Sequence, residues 1–427
     1  MRNICFYFEI HLPVRLKRYR FFEIGQDHYY YDDYHSEEQV RYFVERSYLP
    51  ANRIIADMIK SSNGKFKCSF SISGVTLELF EQYAPELIDS FKELSKTNCV
   101  EFLVEPYANS LASVFDIDEF EAQIKQHADK IEALFGQRPS VLRNSELIYS
   151  DEIAEKVYKM GYKTMLLDGA KHVMGWKSPN YMYNHAYKSG LKLLVRNNQF
   201  SDDITFRFSD YSWNEYPLTA EKYAFWMAQL PVEEEVVNIW MGYDVLGIVQ
   251  NEATGIFEFF KALPYYVMEN QMGFMLPSEA GKKLKSVGEL SVSYPISWSG
   301  EGKDLTAWMG NDLQQEALNK LYGVGERVRL TVDRSLKHDW LYLQPADHFR
   351  FMSHSYAYGS NYESPYEAFI NYMNVLADFL ERVDAQYPTT IENEELNALL
   401  KTINNQEKEI VELQDTLKKL RTRKKKE

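Results

Sequence analysis

A chain of 427 residues with 45% hydrophobic and 26% charged side chains is long enough for one large domain with appendages, and its composition is that of a globular protein. The formal charge of -14 argues against a nucleic-acid partner, because an acidic surface repels phosphate. Three scattered cysteines (Cys5, Cys68, Cys99) are too few for a disulfide framework, and no apolar run approaches the roughly 20 residues that span a bilayer. The opening MRNICFYFEIHLP carries charges and a proline where a secretory leader needs an unbroken apolar run. The expected location is therefore the cytoplasm.

In chain order, short runs rich in β-branched and aromatic residues predict strands at 4–11, 65–73, 99–107, 140–146, 162–168, 191–197 and 236–244. Amphipathic patterns predict helices between them, at 38–61, 76–95, 117–135, 151–160, 219–229 and 253–270. Strands alternating with helices imply parallel pairing through crossover connections. Seven of them suggest an α/β fold, a closed or nearly closed (β/α)7 barrel over residues 1–285. The strands end in polar side chains, among them Glu9 and His11, Ser71 and Ser73, Glu105, Arg143 and Glu146, Asp168, Arg196 and Asp244. In such a barrel those ends converge on one mouth, where ligands bind.

From 286 to 387 the pattern becomes mainly helical, with aromatic-rich connectors, and predicts a helical subdomain completing the cleft. After Pro388, Leu396, Leu399, Ile403, Ile410, Leu413, Leu417 and Leu420 follow 3-4 spacing with Gln406 at one seam position. That spacing predicts a coiled coil over 388–427 and hence a homo- or hetero-oligomer; a single amphipathic helix docked on the body is the alternative. The terminal RTRKKKE suits a solvated helix end.

The nine histidines include no His-x-x-x-His, and neither a Cys-x-x-Cys nor a phosphate-cradling glycine loop is present. No metal or cofactor is expected, although Glu9 and His11 share a strand face. Carboxylates remain as the chemistry-bearing groups. Glu146, in LRNSELIYS behind Arg143 and Asn144, is a candidate nucleophile at a strand end, with a salt-bridge partner as the plainer reading. Retaining sugar chemistry needs a second carboxyl about 5–5.5 Å away, and WMGYDVLG is where it is expected.

The stretches CFYFEIHLPVRLKRYRFFEIG, VEFLVEPYANSLAS, LRNSELIYSDEIAE, GYDVLG and SYPISWSGEGKDLTAWMGN, with others spread to about residue 385, resemble the α-amylase-like members of glycoside hydrolase family 57. The resemblance implies a (β/α)7 barrel acting on α-1,4-linked glucans with retention. It implies Glu146 as nucleophile, His11 and Glu105 as substrate-site positions beside Arg143, and Trp176, Trp308 and Asp347 as parts of the cleft. The family's strand-seven motif typically reads Met-Asp-Tyr-Glu-Thr-Phe-Gly-Glu-His-Gln, and its Asp is the general acid/base. Here Gly242 occupies that position. Leu12, Pro106, Asn109, Ile248 and Val249 also depart from the pattern.

Two readings follow. The first is an α-glucan-binding protein with impaired catalysis. The second is an active hydrolase or glucanotransferase in which Asp244 substitutes for the lost acid. Continued strand geometry would separate residues 242 and 244 by roughly 6.5–7 Å, which favours the first. A metal-dependent deacetylase on a similar barrel is a third reading, against which the missing His-x-x-x-His weighs.

Overall fold

The computed structural model describes residues 1–354 and 360–386 and the isolated positions 399, 402, 405, 406 and 413. The segment expected to form a coiled coil, 388–427, lies outside the described residues but for those five positions.

Eight strands carry the architecture: β1 (Asn3–Ile10), β2 (Cys68–Ile72), β3 (Val100–Phe102), β4 (Leu142–Arg143), β5 (Thr164–Leu167), β6 (Met182–His185), β7 (Lys192–Val195) and β8 (Val236–Gly242). They belong to two five-stranded sheets, completed by the short strands Gly273–Phe274 and Glu289–Leu290. β1 is paired in parallel with β2 on one side and β8 on the other, with Glu9 opposite Gly242. β2 pairs with β3, and a single parallel bridge from Val104 to Leu142 leads on to β4. β4, β5 and β7 follow in parallel, and the bridge from Arg196 to Asn238 returns to β8. The parallel contacts thus run from β1 through six further strands and back to β1.

Each of the seven expected strands is present, generally shorter than its apolar run. β6 was not expected; it lies antiparallel to β7. The pleat sorts side chains by alternation. Along β1, Ile4, Phe6, Phe8 and Ile10 pack into the main helix-facing core, while Cys5 and Tyr7 join a second cluster with Leu103, Leu166, Leu194 and Trp240. Glu9 continues the Cys5–Tyr7 series and emerges at the cleft. A strand buried on both faces reads as a nearly unbroken apolar run, which is why these strands were legible.

Local capping fixes where the helices begin. Asp32, Ser73, Asp116, Ser150, Thr219 and Asn311 each accept from a backbone N–H of the first turn. The helix expected at 38–61 starts earlier, at Asp33, and passes through a π-helical turn at Val44–Tyr48 before continuing as Leu49–Ser61. The pattern at 76–95 is two helices, split at Ala84–Pro85 because proline carries no N–H to continue the ladder. Beyond residue 300 the described chain is helical: Thr306–Met309, Asp312–Gly323, Gly325–Leu330, Arg334–Tyr342, Ala346–Arg350 and Pro365–Gln386.

The end of β8 departs from expectation in the way that matters most. The strand stops at Gly242, and Tyr243–Val245 form a 3-10 turn. Tyr243 is the reason. Its ring is buried against Phe8, Phe70 and Tyr48, and its hydroxyl donates to Asn52 Oδ1 at 2.7 Å. Ser47 Oγ donates to the Tyr243 carbonyl at 3.1 Å. The turn is closed behind by Gly247, at φ +112, where an added Cβ would stand 2.2 Å from the Arg46 carbonyl oxygen. We predict that Gly247→Ala lowers unfolding free energy by roughly 1–3 kcal/mol or more, because backbone strain and a backbone clash combine there. Urea denaturation of the full chain checks this; an unchanged midpoint would mean that the turn is not held by that contact.

Candidate active site

A cleft of about 250 Å³ opens over the ends of β1 and β8. Glu9, His11, Asn109, Glu146, Gly242, Asp244, Trp298, Asp347 and Arg350 are among the residues lining it. Of the residues singled out in the sequence, His11, Glu146, Gly242, Asp244 and Asp347 meet here. Arg143 and Glu105 lie fully buried beneath the lining. Trp176 does not reach the cleft: it is 93% exposed, just past the short helix Lys171–Met174. Trp308 is fully buried, with its ring against the Arg350 guanidinium rather than open to a ligand.

Glu146 sits in a 3-10 turn after β4 with φ 55 and ψ 24, a left-handed conformation that costs a non-glycine residue about 1–3 kcal/mol. Two donors hold its carboxylate. Asn109 Nδ2 donates to Oε1 at 3.0 Å, and Trp298 Nε1 donates to Oε2 at 2.7 Å. The Trp298 backbone N–H also donates to the Glu146 carbonyl at 3.2 Å. Trp298 is itself fixed, packed against Trp240 at 5.2 Å between ring centroids and under Arg350 at 5.6 Å. A carboxylate gripped at both oxygens and aimed into a cleft has the orientation a nucleophile needs.

Arg143 supports this surface from below. It forms ion pairs with Glu9 and Glu105, and Ser71 Oγ donates to Glu105 at 2.8 Å. Burial opposes the guanidinium's charge, but Glu9, Glu105 and Glu146 outweigh it and raise its pKa. Burial also pushes the Glu9 carboxyl upward against the pull of Arg143, and Glu146 and Glu105 add to the rise.

His11 forms the opposite wall. Its Nδ1 lies 2.7 Å from Ser73 Oγ, the same hydroxyl that caps the helix Gly74–Tyr83. Its Nε2 is 2.9 Å from Asp347 Oδ2, close enough for an ion pair. Burial disfavours both charges, yet each partner's charge more than compensates: His11 is raised and Asp347 lowered. Neighbouring His348 has no such surplus, and burial pushes it down to about 4, so it is neutral near pH 7.

Asp244 departs from its expected position. The 6.5–7 Å separation presumed a continuing strand, and the 3-10 turn removes that premise. A Cβ built on Gly242 would stand 2.4 Å from Asp244 Oδ1. That is the distance between an aspartate's own Cβ and its carboxylate oxygens. Asp244 thus holds a carboxylate oxygen in the shell that an aspartate at 242 would occupy. Burial raises its pKa to about 6, partly offset by the backbone amides of Asp244 and Val245.

Among the described residues no group of three or more His, Cys, Asp or Glu side chains is arranged to hold a metal, and no helix is long and apolar enough to cross a membrane. Sequence reasoning missed the roles of Asn109, Trp298 and Arg350. Asn109 was read only as a departure from a pattern, and Trp298 stands 152 positions from the carboxylate it holds.

With that geometry in hand, comparison with known proteins is direct. The family model for glycosyl hydrolase family 57 matches residues 5–293, and the chain belongs to that family. It is 35% identical over 400 residues to a Methanocaldococcus jannaschii protein provisionally named an alpha-amylase, covering 88% of this chain and 84% of the relative. Among solved structures it is similar to a 4-alpha-glucanotransferase from Thermococcus litoralis, with TM-score 0.66 and 15% identity. The match covers 88% of this chain but only 59% of that longer one. It is also similar to a family 57 branching enzyme from Thermococcus kodakaraensis, with TM-score 0.68, 12% identity and 93% and 94% of the two chains covered. At these identities the structural likenesses speak to fold.

We predict that Arg143→Gln costs about 3–5 kcal/mol of stability at neutral pH, since it leaves buried carboxylates without their counter-charge. Denaturant melts of Arg143→Gln and Arg143→Lys at pH 7 test it: Lys, which keeps the charge, should recover part of the loss, and equal losses would point to packing rather than charge.

Proposed function

We propose that this chain is a retaining α-glucan hydrolase or glucanotransferase on a (β/α)7 barrel, with Glu146 as nucleophile and Asp244 as general acid/base. The observation that carries the reading is the 2.4 Å approach of Asp244 Oδ1 to the Cβ position of Gly242. Family membership and the circuit of seven parallel strands support the barrel and the substrate class.

In the first step Glu146 attacks the anomeric carbon, forming a carbon–oxygen bond as the glycosidic bond breaks. Asp244, protonated, gives its proton to the departing sugar oxygen. In the second step Asp244, now ionised, takes a proton from water or from an acceptor sugar hydroxyl. That oxygen attacks the anomeric carbon and frees Glu146. A carboxyl with pKa about 6 suits both duties, because it is neither wholly ionised nor wholly protonated in mildly acidic solution. The His11–Asp347 pair and Trp298 border the space where a sugar ring would sit.

Impaired catalysis is the second reading, favoured by Gly242 itself and by the apolar Ile248 and Val249 in the following loop. The two readings part on Asp244→Asn. Under ours, hydrolysis of maltooligosaccharides falls about 10²–10⁴-fold, while α-glucosyl fluoride, whose leaving group needs no proton, is still consumed. Glu146→Gln abolishes both. Wild-type protein inert toward maltooligosaccharides would favour the second reading, whereas Asp244→Asn as active as wild type would assign the proton donor to some other group.

Stability gives a separate check of the Asp244 environment. A carboxyl whose pKa is raised on folding adds stability below its unfolded pKa of about 3.9, and that contribution disappears as pH rises through about 6. Asp244→Asn should therefore become progressively more stable relative to wild type between pH 4 and pH 7.

We further propose that the chain divides at 285 and 387 and that its last segment self-associates as a coiled coil. Heptad spacing after Pro388 supports self-association. Light scattering should report an oligomer for the full chain and a smaller mass for a truncation at Pro388; equal monomer masses would exclude a self-associating tail.

A further inference from the structure

Beside the cleft lies a second cavity of about 380 Å³. Its polar lining is Ser299, Thr306, Asn311, Gln314, Ser353 and His354, and Arg350 forms the wall shared with the cleft. Among the described residues that line it there is no aspartate or glutamate, although the chain carries 62 acidic side chains against 48 basic ones. The nearest in sequence, Glu301, Asp304 and Asp312, stand outside the lining, and Asp304 Oδ1 is occupied by the Thr306 backbone N–H and hydroxyl.

Arg350 has the features of an anion-binding group. Its guanidinium lies 5.6 Å from the Trp298 ring and 5.7 Å from the Trp308 ring, which restrict its motion. It donates to Ser299 Oγ at 3.2 Å and forms no ion pair among the described residues. A half-buried guanidinium restricted by two indole rings, with one side-chain hydrogen bond among the described residues, is suited to bidentate recognition of an oxyanion. One further observation agrees: the twelve-residue helix Asp312–Gly323 begins at the cavity with Asn311 as its N-cap, presenting the positive end of its dipole. Gln314, by contrast, is spent: its amide donates to the Ala307 and Phe349 carbonyls and stiffens the floor.

We propose that this cavity binds a phosphate ester carried on a sugar, with Arg350 as the principal anion ligand. The sugar part of this assignment rests on the proposed glucan-binding role of the adjoining cleft; the phosphate part rests on the cavity alone. The ligand class is thus a phosphorylated glucosyl unit or oligosaccharide end.

Calorimetry with the full-length Glu146→Gln chain, which cannot turn over ligand under our reading, tests it with four probes: glucose 6-phosphate, glucose 1-phosphate, glucose and orthophosphate. At least one sugar phosphate should bind about tenfold or more tighter than glucose and than orthophosphate, and Arg350→Gln should remove that preference. Thr306→Glu, at an exposed lining position, puts a carboxylate in the cavity and should abolish phosphate binding even if the Arg350 variant fails to fold. Equal affinity for glucose and both esters, or a phosphate preference that survives both substitutions, would overturn the proposal. So would orthophosphate binding as tightly as the esters, which would define a free-anion site. Wild-type activity on unphosphorylated maltooligosaccharides is measured separately, so failure of the anion site and failure of the catalytic reading are distinguishable.

Discussion

Asp244 reaches the space beside Gly242 because Tyr243 is buried. A strand that continued past Gly242 would carry the next polar side chain on that face further along the pleat. Instead the Tyr243 ring is taken into the core against Phe8, Phe70 and Tyr48, and the chain is forced into a 3-10 turn. Burial of one aromatic side chain, stabilising by a few kcal/mol on the usual area scale, thus decides where the carboxylate of the next residue ends up. The arrangement brings a carboxylate to the space beside Gly242 from a different residue, through a different backbone path.

The other carboxylate is secured by different means. Glu146 adopts a left-handed conformation, and the strain is offset by donors from two distant segments, Asn109 and Trp298. Beneath it, Arg143 holds Glu9 and Glu105 in a buried charge cluster. Such clusters contribute little net stability when complete and cost a great deal when one partner is removed. The cleft is therefore tied together at its floor, where one guanidinium joins two carboxylates, and lined at its rim by Arg350 and Asp347.

Much of the fold was legible because strands buried on both faces and helices with an apolar stripe leave different periodicities in the sequence. β6 escaped because the run YMYNHAY, with its Asn and His, lacks the apolar density of its neighbours. The break at Gly242 escaped for a subtler reason: in WMGYDVLG the local alternation of buried and exposed side chains is the same for a strand and for this turn, and the contacts that select the turn, from Tyr243 to Phe8, Tyr48, Asn52 and Phe70, come from distant segments. Glu146, His11 and Asp347 were legible through family resemblance and local motif. Asn109 and Trp298 were not, because their roles depend on contacts across 37 and 152 positions of sequence. Trp176 shows the opposite error, an aromatic in a motif-like stretch that the fold leaves in solvent.

The most direct test of Asp244 as acid/base is chemical rescue. In the Asp244→Asn chain, α-glucosyl fluoride should still glycosylate Glu146, and deglycosylation by water should be slow for want of a base. Azide, a nucleophile that needs no deprotonation, should then accelerate turnover and appear in the product as α-glucosyl azide, with configuration retained. Absence of any azide adduct, with maltooligosaccharide hydrolysis by Asp244→Asn equal to wild type, would contradict the account and leave the proton donor to some other group.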